Sequence, residues 1–386
     1  MKSNRPGFCL LLQLITSIPC VAGLAGASGD LLLNQIQVIG THNSYRTRPP
    51  AVVWKWMQSL PATAAGDPKD LDYSHPPLPA QLDAGMRSVE LDLYADPDGG
   101  RFARRAGMTL TGGEAEAPVA EGVELKQPGC KILHLPDFDF GTTCPSLRTA
   151  LSQLKSWSDA HREHMPIVVH LETKDETIRS VIPLPGLTKA APWDAAACDA
   201  LDVEIREAFV TVPGRVFTPP MLRGQHPTLE AAARAGAWPA LSAMRGRILF
   251  VMEGVAVSNY TAGHPSLEGR QCFIYGEPGR AEAAFLLIND AARQRDTIAR
   301  RVREGYMVRT RADAGTTQAR NGDTTRRDAA LASGAQITST DYPSPDPRGG
   351  KEPGWTTYCV QFPGKVPARP NPVCAPAPAQ NVVLSE

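Results

Sequence analysis

The stretch Ser88-Val89-Glu90-Leu91-Asp92-Leu93-Tyr94 decides the fold, because its acidic and aliphatic side chains alternate. Side chains two residues apart lie on the same face of a β-strand, so Glu90 and Asp92 share one face and the aliphatic residues share the other. The acidic face cannot pack against apolar helices, since burying carboxylates together is costly unless a cation neutralises them. The stretch therefore predicts a strand with helices on its aliphatic face and a barrel interior or mouth on its acidic face.

Seven other short runs rich in β-branched residues alternate with helical stretches along the chain. This alternation is typical of βα units and a parallel sheet. Besides 88–94, strands are predicted at 36–41, 131–135, 167–172, 247–253, 272–275, 306–311 and 336–340. Eight parallel strands predict an α/β fold of the closed (β/α)8 type, a TIM barrel in a single domain.

Helices are predicted between these strands. In the first, Leu147, Leu151 and Leu154 recur at the i, i+4 and i+7 positions of one helix face. The last is followed by Gly334, a typical C-terminal cap. The predicted helices span 145–164, 192–210, 282–304 and 324–333.

The two ends of the chain differ in composition from the middle. Lys2 and Arg5 precede an apolar run at 8–18, and small residues follow, so 1–27 reads as a signal peptide of a secreted protein. The run is too short to span a bilayer, and no later segment is long enough. Ten prolines lie between 343 and 378, and proline cannot continue a helix or a central strand. We therefore expect a barrel domain at 28–342 and an irregular Pro-rich strap at 343–386.

The charge balance and the cysteines narrow the class of protein. With 40 basic and 40 acidic residues among 386, the chain lacks the basic surplus with which proteins hold nucleic acid or anionic membranes by charge.

Six cysteines remain after the signal peptide, an even number in an exported chain, and this favours disulfides. The expected pairs are Cys130–Cys144, Cys359–Cys374 and Cys198–Cys272.

Polar side chains gather at the carboxyl ends of the predicted strands, where the reacting groups of such barrels lie. Four of them offer hard oxygen ligands that suit Ca²⁺, or Mg²⁺, and two histidines could act as general acid or base. Three basic residues lie at the same strand ends. The expected ligands are Asn43, Glu90, Asp92 and Glu172, the histidines are His42 and His134, and the basic residues are Lys174, Arg309 and Arg311.

These motifs, in this order, resemble the calcium-dependent phosphoinositide-specific phospholipase C superfamily, in its secreted bacterial and fungal branch. The motifs are Thr41-His42-Asn43-Ser44-Tyr45, Gly85-Met86-Arg87-Ser88-Val89-Glu90-Leu91-Asp92, His134 and His170-Leu171-Glu172-Thr173-Lys174. The resemblance implies a calcium-bound phosphodiesterase that converts phosphatidylinositol to diacylglycerol and inositol (cyclic) phosphate. It also implies that His42 and His134 are catalytic, and we assign His42 to transition-state stabilisation and His134 to protonation of the leaving group. On such a substrate Lys174, Arg309 and Arg311 could hold phosphate or ring hydroxyls.

Several alternatives stay open on the sequence alone. The substrate could instead be a glycerophosphodiester, a sphingolipid or a glycan-linked phosphodiester, or the barrel could bind without catalysis. We expect a monomer that meets its phospholipid substrate at a membrane surface, without nucleic acid and without a transmembrane segment. Trp54 and Trp56 could insert into the membrane, although a helix packed on the barrel is the slightly favoured interpretation. His170 is expected to support the site, His75 to lie on the surface, and Asp137 and Asp139 to cap a loop.

Overall fold

Eight parallel strands form a nearly closed barrel in the computed structural model, which describes residues 30–59, 67–114, 119–177, 179, 185–380 and 382–386. The strand order is β6-β5-β4-β2-β1-β9-β8-β7, and one isolated parallel bridge, Tyr275–Phe285, joins β6 to β7. The strands are β1 (Ile36–Thr41), β2 (Ser88–Tyr94), β3 (Lys131–Ile132), β4 (Ile167–Thr173), β5 (Ile248–Gly254), β6 (Phe273–Ile274), β7 (Phe285–Leu287), β8 (Met307–Arg311), β9 (Ile337–Thr340) and β10 (Ala368–Pro370). The predicted TIM barrel is confirmed.

The register of the strands places their polar side chains at the same level along the barrel axis. Asp92 of β2 pairs with Glu172 of β4, which pairs in turn with Glu253 of β5. Because side chains alternate along each strand, these three carboxylates share the inner face at the mouth of the barrel. Gly40 of β1 allows β2 to approach, since a Cβ there would lie only 2.4 Å from that of Ser88.

Helices cover the outside of the barrel and bury their apolar faces against it. Ser146 and Asp194 cap two of the longer helices, since each accepts a hydrogen bond from a backbone N–H in the first turn. The helices in the described ranges are α1 (Ala51–Gln58), α2 (Leu78–Asp83), α3 (Ala106–Leu110), α4 (Val119–Leu125), α5 (Leu147–Ala160), α6 (Ala195–Ala208), α7 (Pro219–Arg223), α8 (Leu229–Arg234), α9 (Leu241–Met244), α10 (Val257–Thr261), α11 (Ala291–Arg303), α12 (Thr317–Asn321) and α13 (Thr325–Ala332).

Two strand and helix predictions are wrong. The strand predicted at 131–135 is only β3, which pairs antiparallel with β2 and lies outside the barrel. The missing barrel strand is β7, within the segment predicted as a helix at 282–304. That helix starts later, because the Asp290 side chain accepts a hydrogen bond from the N–H of Arg293 and caps α11.

The segment 343–386 crosses both ends of the barrel. Its β10 pairs antiparallel with β1, and the Glu386 side chain lies at the floor, where Arg87 Nε donates to it over 2.8 Å. Near its start, Trp355 and Tyr358 pack in a buried cluster with Tyr342. The segment is mostly irregular, with one short strand and two single 3₁₀ turns.

The described cysteines are not paired in the structure. The six cysteines are free thiols, so none of the three expected disulfides is formed in the structure. Cys374 packs beside a cluster that includes Ile298, and its thiol lies 3.2 Å from the carbonyl oxygen of Asn34. Cys359 adjoins Tyr358, which belongs to a different cluster.

The predicted signal peptide, 1–27, lies outside the described residues. No helix in the described ranges is long and apolar enough to cross a membrane.

Candidate active site

Three carboxylates from two adjacent strands converge at the barrel mouth. Oxygens of Glu90, Asp92 and Glu172 all lie within 4.8 Å of one another. Arg309 donates to Glu90, and Lys174 Nζ donates to Asp92 Oδ2 over 2.8 Å. Burial, Asp92 and Glu90 raise the pKa of Glu172 to about 7. The cluster therefore carries more negative charge than the neighbouring cations offset.

Two buried oxygens beside this cluster have no hydrogen-bond donor among the described residues. They are Asn43 Oδ1 and Asp92 Oδ1. Asn43 follows β1 with φ 46°, a left-handed conformation that asparagine tolerates, and its Nδ2 donates to Tyr73 Oη over 3.1 Å. An unpaired buried oxygen is costly unless a cation or a donor satisfies it. The four predicted ligands thus offer the oxygen-rich, acidic surroundings that suit a hard divalent cation.

His42 lies at the end of β1, between acidic and basic neighbours. Its Nδ1 donates to Asp341 Oδ1 over 2.7 Å, and its Nε2 lies 3.7 Å from Glu90 Oε1. The guanidinium of Arg311 lies 3.2 Å from Nε2 and donates to Asp341 Oδ2 over 3.1 Å. Burial raises the pKa of Asp341, but His42 and Arg311 lower it below its ordinary value. Asp341 is therefore an ionised acceptor that fixes the His42 ring.

His134 lies at the same rim, in the loop after β3. Its Nδ1 donates to Asp139 Oδ2 over 2.8 Å, and Arg46 donates two hydrogen bonds to the same carboxylate. Burial and the nearby Lys174 lower the pKa of His134, and Asp139 only partly opposes them. Burial raises the pKa of Asp139, but Arg46 and His134 bring it down to about 2. His134 is thus held as a neutral imidazole beside an ionised carboxylate.

His170 bridges the site to the next strand. Its Nδ1 lies 3.5 Å from Glu90 Oε2, and its Nε2 lies 2.7 Å from Glu253 Oε1. Burial lowers the pKa of His170, but Glu90 and Glu253 together raise it to about 9. The imidazolium lies between two carboxylates and offsets one of their two negative charges, which agrees with the expected supporting role.

The remaining basic residues also contact the acidic groups. Arg309 donates to Asn289 Oδ1 over 2.9 Å as well as to Glu90. Burial raises the pKa of Glu90, but Arg309, His42 and His170 hold it well below its ordinary value. All nine predicted site residues therefore lie at or beside the mouth, and Arg309 and Lys174 pair with carboxylates there.

Four residues of the site were not predicted from the sequence as site residues. Asp341 and Arg46 hold the partners of the two histidines, Tyr73 contacts Asn43, and His75 donates to the carbonyl oxygen of His42 over 2.9 Å. The placement of His75 on the surface is wrong, because its ring is buried. Asp341 directly follows the strand predicted at 336–340, and that position was the available signal for it.

The structure shows what the two loop carboxylates contact and whether the tryptophan segment forms a packed helix. Asp137 accepts hydrogen bonds from the N–H and the hydroxyl of Thr188, and so it caps a loop as expected, whereas Asp139 contacts His134. The Trp-containing segment is helix α1. Trp54 is buried, and Trp56 stacks on Phe138 with ring centroids 4.5 Å apart. The packed helix is thus the correct interpretation for this segment.

A groove of about 600 Å³ adjoins the acidic cluster on the side away from Asp92. Glu253 and Tyr275 form its inner end, Leu287 and Ile288 line its wall, and Arg301 of α11 lies at its outer end. The groove follows the gap between β6 and β7. The groove thus lies beside Glu253, the neighbour of Glu172 on the next strand.

Solved structures of similar fold are known. The structure is similar to a calcium-dependent phosphoinositol-specific phospholipase C from a Pseudomonas species, with 15% identity, coverage of 88% of this chain and 96% of that chain, and a TM-score of 0.52. A calcium-dependent phosphatidylinositol-specific phospholipase C from Streptomyces antibioticus has 16% identity, coverage of 80% and 94%, and a TM-score of 0.49. The Pseudomonas likeness supports the barrel fold. No curated protein matches the sequence significantly.

The family comparison covers most of the chain. Residues 31–372 match the model described as phosphoinositide phospholipase C, Ca²⁺-dependent. The matched range contains the whole barrel and every residue of the site described above. The protein is therefore an enzyme of the phospholipase C-like phosphodiesterase class, and the chain belongs to the Ca²⁺-dependent phosphoinositide phospholipase C family.

Proposed function

We propose that the enzyme cleaves the phosphodiester of phosphatidylinositol at a lipid surface, releasing diacylglycerol and inositol (cyclic) phosphate. The observation that carries this proposal is the acidic cluster with two unpaired oxygens, flanked by two histidines that each donate to a carboxylate. We further propose that the enzyme is monomeric, binds no nucleic acid, and is exported by means of residues 1–27.

Asn43, Glu90, Asp92 and Glu172 would hold the cation, which we propose to be Ca²⁺ rather than Mg²⁺. An acidic cluster of oxygen ligands suits Ca²⁺, which takes 6–8 oxygens in flexible geometry. When bound, the cation would act as a Lewis acid that lowers the pKa of the attacking hydroxyl and offsets charge at the phosphate. Arg309 and His170 keep Glu90 ionised in this arrangement.

The two histidines would share the proton transfers. The attacking ring hydroxyl loses its proton to a carboxylate of the cluster or to His42, whose Nε2 is the ring nitrogen not bonded to Asp341. His42 and Arg311 would then stabilise the negative charge that develops on the phosphate oxygens. His134, with its Nδ1–H bonded to Asp139, would take up a proton at Nε2 and pass it to the departing diacylglycerol oxygen. Each such transfer contributes roughly 10²- to 10⁴-fold in rate.

The groove beside Glu253 supports an uncharged polyol as the head group. Its inner end carries the carboxylate of Glu253, which can accept hydrogen bonds from ring hydroxyls. Its lining in the described residues carries two carboxylates, Glu253 and Glu277, and one cation, Arg301, so a head group with further phosphates would meet more negative than positive charge. We therefore expect phosphatidylinositol to be a better substrate than its phosphorylated derivatives.

One assay tests the function. Purified protein is incubated with vesicles that contain phosphatidylinositol, with Ca²⁺ or with excess chelator, and the released phosphates are identified. We expect inositol phosphates only with Ca²⁺, and their loss in His42→Ala but not in His161→Ala, a control at an exposed histidine. Turnover of glycerophosphodiesters or sphingolipids in place of phosphatidylinositol would overturn the substrate assignment. Full activity in chelator would overturn the metal assignment.

A further inference from the structure

We propose that Arg46 is a positioning residue, which fixes the ring orientation and the tautomer of His134 by clamping Asp139. The inference concerns the orientation of His134 and rests, for its catalytic consequence, on the proton-transfer role proposed above. Arg46 does not need to touch the substrate in this scheme. It acts through two buried contacts in series.

Each of the three guanidinium nitrogens of Arg46 donates a hydrogen bond. Its Nε donates to Asp139 Oδ2 over 2.6 Å and one terminal nitrogen donates to Asp139 Oδ1 over 2.8 Å, a parallel pair of hydrogen bonds. The other terminal nitrogen donates to the backbone oxygen of Tyr73 over 2.6 Å, and the guanidinium lies 4.7 Å from the centroid of the Tyr73 ring. The side chains of Arg46 and Asp139 are both 0% exposed. Neither partner can therefore be replaced by water without rearrangement of the loop.

The clamp determines which nitrogen of His134 carries the proton. Asp139 Oδ2 lies 2.8 Å from His134 Nδ1, and an ionised carboxylate can only accept a hydrogen bond, so the proton must lie on Nδ1. Nε2 is then the nitrogen that is free to exchange a proton with a substrate. The low pKa of Asp139, about 2, is consistent with an acceptor that stays ionised throughout the working range of pH.

The clamp also connects the loop that carries His42 with the loop that carries His134. Arg46 lies in the loop after β1, four residues beyond His42, whereas Asp139 lies in the loop after β3. Tyr73, whose carbonyl Arg46 holds, has its hydroxyl 3.5 Å from His42 Nδ1. Lysine cannot reproduce this arrangement, because a single ammonium lacks the planar fork that binds a carboxylate through two parallel hydrogen bonds.

The test combines kinetics with a readout that is independent of turnover. Arg46→Lys and Asp139→Asn are prepared with the matched control Arg48→Lys, a change in the same loop at an arginine that pairs with Asp72. Histidine-selective ¹⁵N labelling reports the tautomer of His134, whose signals are assigned by their loss in His134→Gln. Hydrolysis of a soluble phosphodiester is measured across pH, and the Kd for Ca²⁺ is measured by calorimetry.

We expect the Nδ1–H tautomer in the wild type and in the Arg48→Lys control, and a mixed or Nε2–H tautomer in Arg46→Lys and Asp139→Asn. The kcat should fall about tenfold in Arg46→Lys and about 100-fold in Asp139→Asn, with Kd for Ca²⁺ within about twofold of the wild type. An unchanged tautomer and pH profile in Arg46→Lys would overturn the inference. Full activity of His134→Gln would instead overturn the role of His134, while the tautomer measurement would still test the clamp.

Folding of the variants is addressed by a paired change. If Arg46→Lys or Asp139→Asn does not fold, the double variant Arg46→Met/Asp139→Asn removes both buried charges together and avoids an unpaired one. This double variant should bind Ca²⁺ but lack the fixed Nδ1–H tautomer of His134. A wild-type tautomer in the double variant would likewise refute the positioning role.

Discussion

Protonation of His75 and His164 should destabilise the folded protein as the pH falls from about 6.5 to about 4. Each ring is buried, and its hydrogen bonds are those that a neutral imidazole can make. His75 donates to the carbonyl oxygen of His42 over 2.9 Å, and His164 donates to the carbonyl oxygen of Met165 and lies 2.7 Å from Ser158 Oγ. Burial lowers the pKa of each from 6.5 to about 4.

The sign and size of the effect follow from proton linkage. Between these pH values the unfolded chain binds protons that the folded protein excludes, so stability is complete above about pH 6.5, falls as the pH falls, and levels off near pH 4. One such imidazole costs about 2 kcal/mol at pH 5 and about 3 kcal/mol below pH 4. Two together cost about 4 kcal/mol at pH 5, a large part of the roughly 5–15 kcal/mol that stabilises a typical protein.

Urea unfolding followed by tryptophan fluorescence at pH 7.5 and at pH 5.0 measures this loss. The two imidazoles should together contribute a loss of about 4 kcal/mol between the two conditions, so the change in stability of His75→Gln and of His164→Gln should each be less unfavourable than that of the wild type by about 2 kcal/mol. His161→Gln, at an exposed histidine, should match the wild type. Only the difference between the two pH values is compared, because each substitution also changes packing. Identical losses in all four proteins would refute the assignment of neutral buried imidazoles.

Three further predictions concern the site and its supports. Arg309→Met should leave Glu90 buried without its guanidinium partner and destabilise the protein by about 3–5 kcal/mol. Thermal unfolding should show a larger rise in Tm on adding Ca²⁺ than in the wild type, and an equal rise would contradict the pairing. Trp54→Ala should cost about 3 kcal/mol in urea unfolding, whereas Val52→Ala, at a side chain 41% exposed, should cost less than about 0.5 kcal/mol. Gly40→Ala should destabilise the barrel by about 1–3 kcal/mol or more in the same assay, because its Cβ would meet Ser88; a neutral result would show that β1 can shift without cost.

The sequence was most informative where alternation was strongest. The strands Ile36–Thr41 and Ser88–Tyr94 have the predicted bounds, and the acidic cluster follows because parallel strands present their carboxyl ends at one side of a barrel. The strand β7 was missed because a run of three residues cannot be told from the start of a buried helix by its period. Local patterns therefore identified the site and most of the barrel, but not its shortest element.

The partners of the histidines could not be predicted in the same way. Asp341 is 299 residues from His42 in the sequence, and Arg46 is 93 residues from Asp139. Such contacts depend on loop conformations after several different strands, which no short motif encodes. The six thiols illustrate the same limit, since an even count suggested pairs while the tertiary packing separates Cys359 from Cys374.

The one bridge between Tyr275 and Phe285 has a consequence for how the barrel comes apart. With so little pairing there, β6 and β7 behave as the two edge strands of a curled sheet. Because they have only two and three residues, they leave few unpaired backbone groups with which another chain could pair. Amide hydrogens of these strands should exchange with solvent sooner than those of β2 and β4, which pair over six residue positions. Unfolding would then begin by uncurling at this seam, beside the groove that Glu253 lines.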